Sequence, residues 1–138
     1  MERQFTWEPF APTRIAAPPA PRALPREPAQ QLVVLTCMDA RLEPLRQLGL
    51  EVGDAHVIRN AGADATPDAL RSIALSHREL GTRRAMVIGH TDCGAHASDE
   101  EAEAGVRASV ARVRAALPAL AVEGAVYDVR AGVLRAVP

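Results

Sequence analysis

Residues 32–41 read LVVLTCMDAR, so an apolar run passes directly into a cysteine, an aspartate and an arginine. A short run that is apolar at every position is typical of a strand buried on both faces of a sheet. Residues 85–93, which read AMVIGHTDC, repeat the pattern with a histidine and a second cysteine. Chemically reactive side chains therefore follow two predicted buried strands without an intervening linker.

Helical patterns separate these runs from other short apolar segments. Thr66 followed by Pro67 is typical of a helix start, and Ser98 opens a capping box that predicts a second helix. A shorter helix is indicated at residues 42–48. The predicted strands lie at 32–35, 56–58, 85–88 and 125–129, and a tight turn leads to a last strand at 133–137. Strands that alternate with helices form βαβ units. We therefore expect an α/β fold: a mostly parallel four-stranded sheet flanked by helices, with a C-terminal edge hairpin and an extended N-terminal arm.

Residues 1–30 form that predicted arm, because their seven prolines interrupt helices and remove backbone donors. Phe5, Trp7 and Phe10 are three of the four aromatic residues in the whole chain. The arm is either a disordered tail or a segment that docks on a neighbouring subunit, since large rings are uncommon in solvated tails. We expect the folded domain to occupy residues 31–138.

The composition excludes several classes of protein. The formal net charge is −1, which gives no basic field for nucleic acid or anionic lipid. No apolar run approaches the roughly 20 residues of a membrane span, and the first 30 residues lack the apolar core of a signal peptide. Two cysteines are too few for a disulfide framework. We expect a cytoplasmic protein with reduced thiols and with neither nucleic-acid nor membrane partners.

Cys37, His90 and Cys93 follow strands whose ends emerge at the same edge of a parallel sheet, so the three side chains can converge. Two thiolates and one imidazole are a recognised Zn²⁺ ligand set, and three protein ligands leave the fourth position for water or substrate. The sequence therefore predicts one Zn²⁺ per subunit, bound in the domain of residues 31–138. The alternatives are inert buried cysteines or a Cys37–Cys93 disulfide, which a reducing cytosol disfavours.

Asp39 lies two residues beyond Cys37, and Arg41 can hold its carboxylate by a bidentate ion pair. Two roles are open for Asp39 beside the metal. It can accept a hydrogen bond from zinc-bound hydroxide, or it can bind zinc itself as a fourth ligand and close the site. A purely structural ion pair with Arg41 is a third alternative.

Three segments together make the sequence resemble the β-class carbonic anhydrases, most closely their short bacterial form. They are CMDARL at residues 37–42, GDAHVIRNAG at 53–62 and HTDCG at 90–94. RSIALS at 71–76 and ELGT at 79–82 are also similar to the family. The resemblance runs without a break over roughly residues 31–138, and the set of motifs is far more specific than any one of them.

This resemblance implies a function and its residues. The family hydrates carbon dioxide reversibly to bicarbonate and a proton. Cys37, His90 and Cys93 would be its zinc ligands, and Asp39 with Arg41 its catalytic dyad. The family also has a closed form, in which the aspartate matching Asp39 binds zinc. Its members are dimers or multiples of dimers, so the resemblance implies a homodimer or a larger assembly of dimers.

The expected reaction is attack of zinc-bound hydroxide on carbon dioxide, because zinc lowers the pKa of bound water to about 7. The Asp39–Arg41 dyad would gate the metal. A related zinc hydrolase of carbon disulfide or carbonyl sulfide would share the fold and the ligands. A non-catalytic, zinc-stabilised module is a third alternative, although such a site does not need Asp39 and Arg41. His96 could relay protons or be a surface residue at a helix start.

Overall fold

The computed structural model describes residues 23–138. Its strands are β1 (Leu32–Cys37), β2 (Ala55–Asn60), β3 (Arg84–His90), β4 (Ala121–Asp128) and β5 (Val133–Val137), and its helices are α1 (Pro44–Gln47), α2 (Pro67–Glu79) and α3 (Asp99–Ala116). The alternation of strands and helices that the sequence predicts is confirmed. Within these residues, no helix combines the length and the apolar character that crossing a membrane requires.

The strands form one sheet in the order β2-β1-β3-β4-β5. The first four are parallel to one another, and β5 is antiparallel to β4. This is the predicted four-stranded parallel sheet with an edge hairpin. β1 and β3 extend beyond the apolar runs that predicted them, because Thr36, Cys37 and His90 still belong to the strands. Two of the predicted site residues are therefore strand residues rather than loop residues.

Every residue of β1 is buried, because helices cover one face of the sheet and a smaller apolar cluster covers the other. Val33 and Leu35 pack in a cluster with residues of α2 and α3. Leu32 and Val34 point to the opposite face, where they join Leu48 and other apolar residues. Alternate residues of a strand face opposite sides, so a strand between two cores must be apolar throughout.

Side-chain caps begin the two long helices where the sequence predicts them. The Thr66 hydroxyl accepts a hydrogen bond from the Ala69 amide at the start of α2. The Ser98 hydroxyl accepts one from the Glu101 amide at the start of α3. The first helix, predicted over residues 42–48, is shorter, because Leu42 belongs to a turn in which its amide donates to the Asp39 carbonyl.

The described end of the predicted arm lies along the beginning of β2. The amides of Ala29 and Gln30 donate to the carbonyls of Gly53 and Asp54 at 2.9 Å each. His56 Nε2 lies 2.8 Å from the carbonyl oxygen of Arg26. The docking predicted for Phe5, Trp7 and Phe10 falls outside the described residues, and the domain division at residue 30 stays a prediction.

Candidate metal centre

Cys37, His90 and Cys93 meet at the carboxyl edge of the sheet, and one potential ligand atom from each lies within 4.8 Å of the others. Cys37 and His90 end the neighbouring parallel strands β1 and β3. Cys93 returns to the same place because Asp92 has a φ of 52°, in the left-handed region that reverses a chain sharply. The three side chains thus converge as the predicted strand ends require.

The imidazole of His90 is oriented for a ligand. It is fully buried, and its Nδ1 lies 2.7 Å from the carbonyl oxygen of Thr91. Because a carbonyl can only accept, Nδ1 carries the proton and Nε2 presents a lone pair. Nε2 is buried, yet it has no hydrogen-bond partner among residues 23–138. A buried polar atom without a partner is costly, and a histidine tautomer fixed through its other nitrogen is the usual state of a metal ligand.

Two hydrogen bonds hold Thr91 in place, so the carbonyl that orients the His90 imidazole is itself fixed. Its amide donates to the Tyr127 carbonyl at 3.0 Å, and its hydroxyl accepts from the Val129 amide at 3.0 Å. Both partners lie at the end of β4 or just beyond it. The carbonyl that holds His90 therefore belongs to a turn tied to the next strand of the sheet.

Both cysteines are free, and their Sγ atoms are 4.0 Å apart. A disulfide bond is about 2.05 Å long, so the disulfide that the sequence left open is not present. Burial raises the pKa of the Cys93 thiol, and nearby Cys37 adds to this effect against a hydrogen bond from the Ala95 amide. Two thiols in this environment need a cation if both are to be ionised, and a divalent metal supplies that charge. The donor set fits zinc.

Asp39 lies beside this cluster and is held by Arg41. Its Oδ1 accepts from the Arg41 amide at 2.8 Å and from Nε at 3.0 Å, while Oδ2 accepts from Nη2 at 2.8 Å. These bonds, led by those from the guanidinium, hold the pKa of the Asp39 carboxyl far below its usual range. Oδ2 is also 3.8 Å from His90 Nε2. An ionised carboxylate therefore borders the potential metal ligands.

Arg41 joins the loops that follow β1 and β3. Besides Asp39, it donates to the Asp92 carboxylate at 3.0 Å and to the Asp92 carbonyl at 2.9 Å. These two carboxylates raise the pKa of Arg41 above its ordinary value. The Asp92 amide donates to Asp99 at the start of α3. The segment carrying Asp39 is thus braced against the segment carrying Cys93.

Arg59 lies beside this cluster, although the sequence assigned it no role. Its Nε donates to the Cys37 carbonyl at 2.9 Å, and Nη2 donates to the Asp39 carbonyl at 2.8 Å. Arg59 belongs to the family-like segment at residues 53–62, but its acceptors are backbone carbonyls, which leave no mark in a sequence. Its position near the end of a strand next to β1 is the one signal that could have found it.

The loop after β2 borders the cluster. The Gly62 amide lies 3.4 Å from Cys37 Sγ, and Gly62 has a φ of +81°. The Asn60 side chain ties the loop by two hydrogen bonds to the backbone of Asp64. His96 is half-buried against this loop, with Nε2 3.5 Å from the Gly62 carbonyl oxygen. This contact is too long to be a strong hydrogen bond, and a relay role for His96 stays a prediction.

Comparison with known proteins finds one family. A family model described as carbonic anhydrase matches residues 32–126. The beta-carbonic anhydrase 1 of Mycobacterium tuberculosis is 52% identical over 71 residues, which are 51% of this chain and 44% of that protein. A carbon disulfide hydrolase of Acidianus sp. is 48% identical over 65 residues, which are 47% of this chain and 32% of that protein. The chain spans less than half the length of these curated relatives.

Solved structures are similar to this chain over more of its length than the curated relatives are. A carbonic anhydrase from Streptococcus mutans has a TM-score of 0.77 at 34% identity, covering 83% of this chain and 86% of that one. One from Glaciozyma antarctica has a TM-score of 0.77 at 32% identity, covering 87% and 89%. The apo form of a carbon disulfide hydrolase has a TM-score of 0.70 at 26% identity, covering 79% of each chain.

Proposed function

Because the chain belongs to the β-carbonic anhydrase family, we propose that it hydrates carbon dioxide reversibly to bicarbonate and a proton. The observation that carries this proposal is the buried group of Cys37, His90 and Cys93 with an ionised Asp39 beside it. The relative from Mycobacterium tuberculosis, named as a beta-carbonic anhydrase, supports the same reaction.

The proposed cofactor is one Zn²⁺ per subunit, held by Cys37 Sγ, His90 Nε2 and Cys93 Sγ. This assignment is supported by two free thiols and by a buried imidazole nitrogen that has no hydrogen-bond partner within residues 23–138. Three protein ligands would leave one position open, as catalytic zinc sites require. When bound, zinc lowers the pKa of a coordinated water to about 7, so that hydroxide is available near neutral pH.

The proposed role of Asp39 follows from its charge and its position. An ionised carboxylate can only accept hydrogen bonds, so Asp39 can take one from a water molecule at the open position and turn an oxygen lone pair towards the substrate. Arg41 occupies both carboxylate oxygens of Asp39. While that pair holds, the carboxylate stays with Arg41 instead of binding the metal. We therefore assign Arg41 the gating role and Asp39 the orienting role.

Hydrolysis of carbon disulfide or carbonyl sulfide is a second candidate. It is supported by the 48% identity to a protein named carbon disulfide hydrolase over nearly half of this chain. The same three ligands and the same carboxylate would serve that reaction, because the substrate is again a linear molecule with an electrophilic carbon. A non-catalytic zinc module has no comparable support, since the Asp39–Arg41 pair has no task in one.

We also propose that the chain forms homodimers or multiples of dimers in the cytoplasm. Several large apolar side chains are exposed on the single chain, among them Met38 beside the metal site, Val57 on β2 and Leu75 on α2. Exposed apolar side chains beside an open sheet edge are typical of an interface. The two free thiols are consistent with a reducing compartment.

The test of the proposed function is stopped-flow hydration of carbon dioxide at a pH of about 8.5, where hydroxide would be fully formed. The protein carries a measured zinc content, and carbon disulfide hydrolysis is assayed on the same sample. We expect rapid hydration of carbon dioxide that Cys93→Ser abolishes and Arg84→Gln, at the opposite edge of the sheet, leaves unchanged. Zinc-loaded protein that hydrolyses only carbon disulfide would establish the second candidate instead. Turnover of neither substrate would contradict both.

A further inference from the structure

We propose that Arg59 is a positioning residue whose guanidinium fixes the backbone segment carrying both Cys37 and Asp39. The inference rests on the proposed metal site, but it does not depend on which substrate is turned over. Among residues 23–138, the hydrogen bonds of the Arg59 side chain reach neither the potential ligand atoms nor the Asp39 carboxylate. It acts on the peptide groups that aim these side chains.

Arg59 lies next to the end of β1. Thr36 is the strand partner of Arg59, so Arg59 lies beside the point where the chain leaves the sheet. From there its side chain follows the departing segment, donating to the carbonyls of Cys37 and Asp39 at 2.9 and 2.8 Å and reaching the Leu42 carbonyl at 3.4 Å. One side chain thus joins three peptide groups within six residues.

The chemistry of these hydrogen bonds explains why residue 59 is an arginine. A guanidinium is a planar fork with five N–H donors at fixed angles, whereas a lysine ammonium is a single flexible point charge. Nε and Nη2 of Arg59 meet two different carbonyls, so the distance between Cys37 and Asp39 is set by a rigid group. A lysine can replace one of these contacts but not their relative geometry.

Within residues 23–138, Arg59 forms no ion pair with a carboxylate. The ion pairs of arginine in the described part of the chain use Arg41, Arg107, Arg112 and Arg135. In the described part of the chain, the Arg59 side chain donates to backbone carbonyl oxygens alone. Its interactions are therefore directional, and their effect is to fix the peptide groups rather than to neutralise a carboxylate.

Two arginines hold Asp39 at different groups. Arg41 holds the carboxylate, and Arg59 holds the carbonyl of the same residue. With both ends fixed, Asp39 Oδ2 remains 3.8 Å from His90 Nε2. Because Arg59 also holds the Cys37 carbonyl, its loss should move a metal ligand and the orienting carboxylate together. Partners that hold metal ligands in place typically contribute about 10–100-fold to affinity or activity.

The experiment compares Arg59→Gln and Arg59→Lys with Arg84→Gln, an exposed arginine at the start of β3. Zinc affinity is measured by chelator competition, and the visible spectrum of the Co²⁺ form reports ligand geometry. We expect Arg84→Gln to match the wild type in both. Arg59→Gln should bind zinc about 10–100-fold more weakly and alter the Co²⁺ spectrum, with Arg59→Lys intermediate. The kcat for carbon dioxide should fall in the same order with little change in KM.

The proposal is overturned if both Arg59 variants keep the wild-type Co²⁺ spectrum and a zinc affinity within about twofold. If Arg59→Gln does not fold, Arg59→Lys decides the question by the same two readouts. The metal measurements need no turnover. Wild-type protein that binds Co²⁺ but hydrates no carbon dioxide would therefore count against the proposed function, while the comparison of the Arg59 variants would still test the positioning role.

Discussion

The ion pair between Asp39 and Arg41 joins two side chains whose exposures differ. The Arg41 side chain is 47% exposed and the Asp39 side chain 17%. Water screens such a pair, so its contribution to folding stability is small. Its geometry is nevertheless bidentate and is supported by a third hydrogen bond from the Arg41 amide. The pair is therefore better suited to orient a carboxylate than to stabilise the fold.

We expect Arg41→Ala to lower carbon dioxide turnover by about 10–100-fold, because it would release the carboxylate to which we assign the orienting role. The temperature of thermal unfolding should change little. Arg107→Ala is the matched control, since the Arg107 side chain is 51% exposed and pairs with Glu103 on the same helix. That variant should retain turnover. Full activity with a marked loss of stability in Arg41→Ala would support the purely structural ion pair instead.

The depressed pKa of Asp39 makes a second prediction, on acid stability. The folded state holds the proton of Asp39 less tightly than the unfolded state, whose ordinary value is 3.8. The small stabilisation that the pair contributes is therefore complete above that value and is lost as pH falls towards the lower folded-state pKa. In Arg41→Ala this contribution should be missing. Urea unfolding of metal-free protein at pH of about 5 and about 3 should show a smaller loss for the variant than for the wild type.

At the scale of elements, the loop after β2 is shaped by one glycine. A Cβ at Gly62 would lie 2.9 Å from His96 Nε2 and 3.1 Å from the Ala95 Cβ, in addition to the strain of a positive φ. Gly49 has a similar φ of +67°, but a Cβ there would meet nothing within 4 Å. Comparing substitutions at the two glycines therefore separates the effect of backbone strain from the effect of crowding beside the candidate metal site.

We expect Gly49→Ala to destabilise the fold by about 1–2 kcal/mol, the cost of a left-handed conformation for a residue with a Cβ. Gly62→Ala should lower stability further and weaken zinc binding, because it displaces the amide that lies against Cys37 Sγ. Chemical unfolding and chelator competition measure the two effects. Adding His96→Ala to Gly62→Ala should restore part of the zinc affinity. Equal stability and zinc affinity of the two single variants would contradict the crowding argument.

The strands and loops around the candidate site show how much of the fold and of the site can be predicted from the sequence. The convergence of Cys37, His90 and Cys93 follows from two apolar runs that end in reactive residues, because parallel strands bring such ends to one edge. No local sequence pattern encodes the hydrogen bond of Arg41 with Asp92, 51 residues away. The same holds for the hydrogen bonds of Arg59 with two backbone carbonyls. They depend on how two loops lie in space. Hydrophobic periodicity predicts strands and helices, but it carries no information about side chains that bind backbone groups.

At the scale of the whole molecule, the chain has an N-terminal segment fixed on one edge of the sheet. Ala29 and Gln30 bond to the backbone before β2, and the Arg26 carbonyl lies against His56. His56 Nε2 must donate to that carbonyl, so Nδ1 accepts from the Ser76 hydroxyl, 2.7 Å away on α2. The stretch from Arg26 to Gln30, which the sequence assigns to the arm, is therefore hydrogen-bonded to β2 and to the segment before it.

We expect the full chain to be a dimer or a multiple of dimers, and a chain that begins at residue 23 to associate more weakly. The shortened chain keeps the hydrogen bonds of residues 26–30 but loses Phe5, Trp7 and Phe10, three rings suited to covering apolar surface on a neighbour. Light scattering over a range of protein concentrations measures the difference. Replacing the three rings by serine in the full chain is the matched control, since it removes apolar surface without removing length. If both variants keep the mass of the full chain, the rings have no part in assembly. The exposed side chains of β2 and α2 would then have to form the interface by themselves.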